Sequence, residues 1–191
     1  MSARRQGTLR PEVTDEDHGI GPVTAPVILV EYGDYQCPYC YQAHPLVNSI
    51  RKQLDAKLRF VFRNFPLTEI HPHALHAAQA AESVAATAGE SAYWAMHDAI
   101  YEHQQDSDDA LDDAHLVRYA EECGADPAQV QADLDAGKFE DRVRADFMSG
   151  VRSGVNGTPT FFINGLRYDG DWTNAKEFAA RLQETADATS L

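Results

Sequence analysis

A near-continuous apolar run, Val27 to Tyr32 (VILVEY), is followed after four loop residues by Cys37-Pro38-Tyr39-Cys40. That succession leaves few folds open. An apolar run of strand length suits a central strand covered on both faces. Downstream, Tyr41, Leu46, Val47, Ile50 and Leu54 recur at helical spacing. Proline is favoured at the first helical position because its missing N–H would be unpaired there anyway, so a helix is predicted to begin at Pro38 with Cys37 as its cap. Pro45 lies inside it and removes the hydrogen bond to the Tyr41 carbonyl, so a kink is expected. Leu58 to Phe65 (LRFVFRNF) alternates apolar and polar residues and reads as a second strand. Strand, helix, strand in this span is a βαβ unit with parallel strands and a right-handed crossover.

The texture changes at Pro72. To about Ser153 the chain is Ala-rich, charged and helical in period, with stops at Gly89 and Gly124 and a fresh start at Asp126-Pro127. Phe139, Val143, Phe147 and Val151 repeat every four residues, a stripe for one helix to present to the rest of the fold. Then β character returns: Thr160 to Asn164, a hairpin turn at Asn164-Gly165, and Leu166 to Tyr168. Asn174 with Glu177 caps a last helix carrying Phe178 and Leu182. Residues 1–25 are polar and rich in Pro, Gly and acid, and read as an irregular arm. The predicted organisation is an α/β domain made of 26–70 and 154–191, interrupted by a helical insertion at 71–153.

Composition excludes several classes of function. The 191 residues carry a net charge of −14 with no basic run, which argues against nucleic acid as a partner. No apolar stretch reaches the roughly 18 residues of a membrane span. The Arg4-Arg5 pair near the start has no apolar segment behind it, so the chain as given reads as cytoplasmic, or as extracytoplasmic if a signal has been removed. Three cysteines are too few and too uneven for a disulfide framework: Cys37 and Cys40 stand together and Cys123 alone.

C-x-x-C serves zinc sites and redox centres alike, but here it opens a helix, where unpaired N–H groups and the helix dipole favour negative charge. A thiolate is the reactive form. Cys37 is therefore expected to be the exposed, ionised nucleophile and Cys40, one turn further in, the buried thiol that resolves its mixed disulfide. Zinc or copper held by Cys37, Cys40 and His44 is set aside, since structural zinc takes four ligands. His71 and His73 flank Pro72 and need not converge with His76. His97 beside Trp94 reads as packed core, and Cys123 as a small hydrophobe. Far along the chain, Gly157-Thr158-Pro159-Thr160 precedes a strand, and a proline there sits at an edge, a bulge or a cis turn.

V-E-Y-G-D-Y-Q-C-P-Y-C together with G-V-N-G-T-P-T-F-F-I-N-G resembles the DsbA-like branch of the thioredoxin superfamily, over about residues 22–187. F-P-L-T-E-I-H-P-H-A and W-A-M-H-D are also similar to bacterial DsbA-like proteins, including thioredoxin-like domains fused to some sodium/proton antiporters. The resemblance implies a thioredoxin-like fold with an inserted all-helical domain. It also implies a cofactor-free thiol–disulfide oxidoreductase that oxidises, reduces or isomerises disulfides of protein or peptide substrates, with a redox partner. By the same resemblance Pro159 is a cis-proline facing the C-x-x-C, and Thr158 offers its backbone to an extended substrate. Glu31 is the acid behind the buried thiol, taking the Cys40 proton, and Pro38 and Tyr39 meet the substrate. Pro38-Tyr39 departs from the Pro-His of the periplasmic oxidants and is like that of glutaredoxins. Glutathione-linked reduction is therefore one alternative, and a peptide-binding or chaperone module the other.

Overall fold

A computed structural model describes residues 7–189; the first six residues of the expected arm lie outside them. The strands are β1 (His18–Ile20), β2 (Val27–Gly33), β3 (Leu58–Asn64), β4 (Thr160–Ile163) and β5 (Leu166–Arg167). They form a sheet in the order β1-β3-β2-β4-β5. β2 and β3 are parallel, as a βαβ unit requires, and the other pairings are antiparallel. Helix α1 (Pro38–Leu54) makes the crossover and runs through Pro45. Helices α2 (Ala74–Ala88), α3 (Glu90–His103), α4 (Asp113–Glu122), α5 (Pro127–Asp135) and α6 (Glu140–Arg152) intervene between β3 and β4, and α7 (Ala175–Thr189) closes the chain.

β2 is central, and its side chains alternate between two apolar layers. Val27 and Leu29 face α1 and α7, where they meet Val47, Ile50, Phe178 and Leu182. Val30 and Tyr32 face the other way, toward Leu9, Phe65 and Phe147. This explains why the run reads as continuously apolar: each face has its own cover. At the far side, Asn164 and Gly165 both take positive φ, 47° and 79°, the conformation a two-residue hairpin turn needs. Asn174 accepts from the Glu177 N–H and caps α7 as its sequence suggests.

Two expectations need correction. Within the 1–25 segment, residues 18–20 are not irregular but form β1 against β3, and Leu9 is buried on the second face of the sheet. The reason is non-local. Buried Arg63 on β3 binds the Asp17 carboxylate through Nε and Nη2 at 2.7 and 2.9 Å and the Pro11 and Glu12 carbonyls at 3.0 and 3.1 Å. A buried guanidinium must be fully paired, and the polar segment supplies the partners. The α6 stripe is also only partly used. Val143 is buried and Phe147 stacks on Phe65, but Val151 is 47% exposed. A strict four-residue repeat advances about 40° per step round the helix, while the buried side of α6 runs through Val143, Asp146, Ser149 and Gly150.

Candidate active site

The end of β2 hands the chain directly to the cysteines. Gly33 is the last strand residue, and a Cβ there would lie 2.3 Å from the Phe62 ring and 3.1 Å from the Glu31 carboxylate. Only glycine lets Phe62 cover this corner. The loop that follows is organised by Asp34, which is buried. Its carboxylate accepts from the Gln36 and Leu67 N–H groups at 2.7 and 2.8 Å and meets His71 Nδ1 at 2.7 Å. Its carbonyl accepts from the Cys37 N–H, and its own N–H donates to the Cys40 sulfur at 3.5 Å. Thus one buried acid sets the path of the chain into α1.

Cys37 caps α1 with extended backbone (φ −71°, ψ 125°) and Pro38 occupies the first turn. The expectation of an exposed Cys37 does not hold: the residue is 3% exposed. Gln104, at the end of α3, reaches across and donates to the Tyr35 and Cys37 carbonyls at 2.7 and 3.0 Å. On the other side the Cys37 sulfur lies 3.5 Å from the Thr158 carbonyl, to which its thiol form donates. The Thr158–Pro159 peptide is cis. The structure thus brings the C-x-x-C and the G-T-P-T segment, 121 residues apart, against each other. Pro38 and Tyr39 face solvent, Tyr39 at 60% exposure.

The two sulfurs differ sharply in acidity. Cys37 is lowered to about 6, first by the Cys40 thiol donating to it, then by the Thr158 hydroxyl and the Cys40 and Tyr39 N–H groups, with burial opposing. The Thr158 hydroxyl is buried without a hydrogen-bond partner among the described residues, so it acts as a dipole beside the sulfur rather than as a well-formed donor. Cys40 is fully buried and pushed up, by burial first and then by its bond to Cys37 and the Glu31 charge. Glu31 lies behind them on β2, flanked in register by Phe62 on β3 and Phe161 on β4. Burial first and the Cys37 charge second raise its carboxyl to about 8. It is therefore mostly protonated at neutral pH while Cys37 is ionised.

The histidines do not gather around the cysteines. His71 binds Asp34, His76 binds Asp113, and His44 binds Asp98. His97 is packed core as expected, bonded to the Tyr35 hydroxyl, and burial lowers its imidazole to about 3. Cys123 follows the last turn of α4, partly buried. Asp34 and Gln104 escaped the sequence reading. Asp34 carried a faint signal, a polar residue between a strand and C-x-x-C; Gln104 carried none, since nothing local links it to a loop 67 residues earlier.

A thioredoxin family model matches residues 13–184. Na(+)/H(+) antiporter NhaA 3 of Salinispora tropica is 40% identical over 178 residues, which is 93% of this chain and 26% of that protein. The chain therefore spans about a quarter of the length of the curated relatives it matches. BdbD of Bacillus subtilis has a similar structure, with a TM-score of 0.84 at 22% identity over 95% of this chain and 97% of that one. DsbA1 of Wolbachia pipientis follows at 0.78 and 20%, covering 93% and 94%.

Proposed function

The chain belongs to the thioredoxin family, and on that footing we propose that it is a thiol–disulfide oxidoreductase whose electrons pass through Cys37 and Cys40. The observation that carries this reading is a juxtaposition: Cys37 caps α1 with Cys40 buried one turn further in, and the Cys37 sulfur lies 3.5 Å from the Thr158 carbonyl. The acidities agree with it, Cys37 being lowered to about 6 and Cys40 raised. An ionised thiol at the cap of α1 and a protonated thiol one turn further in are what the two halves of disulfide exchange require.

In the reducing direction the Cys37 thiolate attacks a substrate disulfide, forming a mixed disulfide and releasing one substrate thiolate. Cys40 then loses its proton and attacks the Cys37 sulfur; the second substrate thiolate leaves, and the enzyme holds the disulfide, two electrons poorer. Glu31 takes the Cys40 proton. Its carboxyl is held up in part by the Cys37 charge. That charge vanishes in the mixed disulfide, so Glu31 becomes easier to ionise at the moment a base is needed. The Thr158 backbone pairs with an extended substrate, and exposed Pro38 and Tyr39 form its near wall.

Every step reverses. A stabilised Cys37 thiolate shifts the pair toward its reduced form, and the balance of its potential against that of the redox partner sets the direction. No helix among the described residues is long and apolar enough to cross a membrane. Residues 26–70 and 154–191 then carry the thiol site and 71–153 the inserted unit; the protein works in the cytoplasm, or outside it if a signal is removed, and fractionating cells that make it decides between the two. The deciding experiment is Cys40→Ser with a disulfide-bonded peptide: a trapped mixed disulfide at Cys37 is expected, and normal turnover would remove the two-thiol mechanism. Equilibration of the wild-type pair with glutathione gives the potential, and with it the direction.

A further inference from the structure

Away from the sulfurs, three metal-ligating side chains meet on the seam between α1 and α3. The ligand atoms of His44, His97 and Asp98 lie within 4.8 Å of one another. His44 Nε2 is 2.7 Å from an Asp98 carboxylate oxygen and 3.1 Å from the Asn48 amide nitrogen. His97 is almost fully buried among Phe62, Trp94 and Tyr101, an apolar cage that offers an imidazole little. Its Nδ1 is engaged by the Tyr35 hydroxyl at 2.9 Å. When Nδ1 carries the proton in that bond, Nε2 presents a lone pair, the arrangement in which an outer partner fixes the tautomer of a metal-binding histidine. Asp98 stands at the open end, its side chain 43% exposed, on a cleft of about 600 Å³ that Asn48, Arg51 and Glu102 also line.

We propose that His44, His97 and Asp98 form a divalent transition-metal site of the zinc class, its fourth position filled by water from the cleft. Two imidazoles and one carboxylate are a borderline donor set that suits zinc, cobalt or nickel and not calcium or magnesium, which take oxygen ligands. Ligands about 2.0–2.1 Å from a tetrahedral metal stand roughly 3.3–3.5 Å apart. The His44–Asp98 hydrogen bond would open by about 0.6–0.8 Å to admit the ion, and His97, wedged by its cage, would move least. Asp98 is the exposed partner and can make that movement. Arg51, which donates to Asn48 Oδ1 at 2.8 Å, sets a positive charge against the site and weakens it. The site does not depend on the thiol reading. Its consequence is mechanical: His44 lies one helical turn beyond Cys40, so the ion would pin the helix that carries both sulfurs to α3.

The test uses the full chain with Cys37, Cys40 and Cys123 all replaced by serine, so that no thiol takes the metal. Zinc is titrated against a chromophoric chelator, and cobalt is followed by its visible absorption. One equivalent should bind. His44→Gln and Asp98→Asn should each weaken it by about tenfold or more, since loss even of an outer partner costs about that much. Cadmium should shift the His97 imidazole resonances in the serine protein but not in the Asp98→Asn form. Asp98 is exposed and His44 largely buried, so folding of each variant is checked by circular dichroism; if one fails to fold, the other decides. No saturable equivalent, or binding that the folded variants leave unchanged, overturns the proposal.

Discussion

Replacing Cys40 by alanine separates the two influences that ionise Cys37. The Cys37 thiol is lowered to about 6, and the leading cause is the Cys40 thiol donating to its sulfur. A hydrogen bond to a charged group contributes about 1.5–3 kcal/mol, and about 1.4 kcal/mol is a tenfold change in an ionisation equilibrium. The midpoint should therefore rise to about 7–8 in Cys40→Ala. At pH 6 the thiolate fraction would fall from about a half to between roughly a tenth and a hundredth. A more basic thiolate is also a better nucleophile, by about three- to eightfold over that range at a Brønsted slope of 0.4–0.5. The net loss in alkylation rate at pH 6 is then only about two- to sixfold, so the midpoint is the sharper readout. It is measured by thiolate ultraviolet absorbance and by iodoacetamide rates across pH, with Cys123, raised by burial, as the unionised background. A midpoint that stays at about 6 would show that the first-turn N–H groups hold the charge unaided.

Glu31→Gln removes the proton acceptor and should leave the first attack intact while mixed disulfides accumulate, seen on non-reducing gels; unchanged release from them would clear Glu31 of its role. Reduced protein should lose stability relative to oxidised as pH falls from about 9 through about 6. The sign follows from Cys37, lowered from 9.0 to about 6: its contribution is present above the unfolded value and lost as the folded one is passed. Thermal melts of both forms across pH test it, and a flat difference would contradict it. Gly33→Ala should cost about 1–3 kcal/mol through overlap with Phe62, read by urea unfolding. Gln104→Ala, which deletes both bonds to the Tyr35–Cys37 loop, should cost about 1–3 kcal/mol and speed Cys37 alkylation; an unaltered rate would show that Gln104 does not shield the sulfur.

What could be read from the sequence was what neighbouring residues decide together. Pro38 fixes the start of α1, Asn164-Gly165 a turn with positive φ, and Asn174 with Glu177 the cap of α7, each through contacts a few residues long. The pairing of C-x-x-C with Gly157-Thr158-Pro159-Thr160 came from resemblance, since no local rule joins positions so distant. The misses share one cause. β1 has only three residues and exists because Arg63, on another strand, needs Asp17 and the carbonyls before it. Cys37 reads as exposed because a helix start is open in isolation; Gln104 and Thr158, from elsewhere in the chain, close it. Asp34 looks like a turn residue until six partners from three stretches of the chain, 36–40, 67–71 and Tyr101, converge on it.

The sheet's outermost strands, β1 and β5, are three and two residues long. Between them, β3 carries Leu58-Arg59-Phe60-Val61-Phe62-Arg63-Asn64, a stretch whose backbone would template a foreign strand if one side lay bare. β1 occupies the stretch from Phe60 to Phe62, and Thr8 bridges to Leu166 at the opposite border. The polar N-terminal segment thus covers backbone at both borders of the sheet that another strand could otherwise pair with. Cutting it away at Gly21 would uncover the most aggregation-prone edge of the sheet, and the damage would show first as polymerisation at high protein concentration rather than as a lost thiol activity.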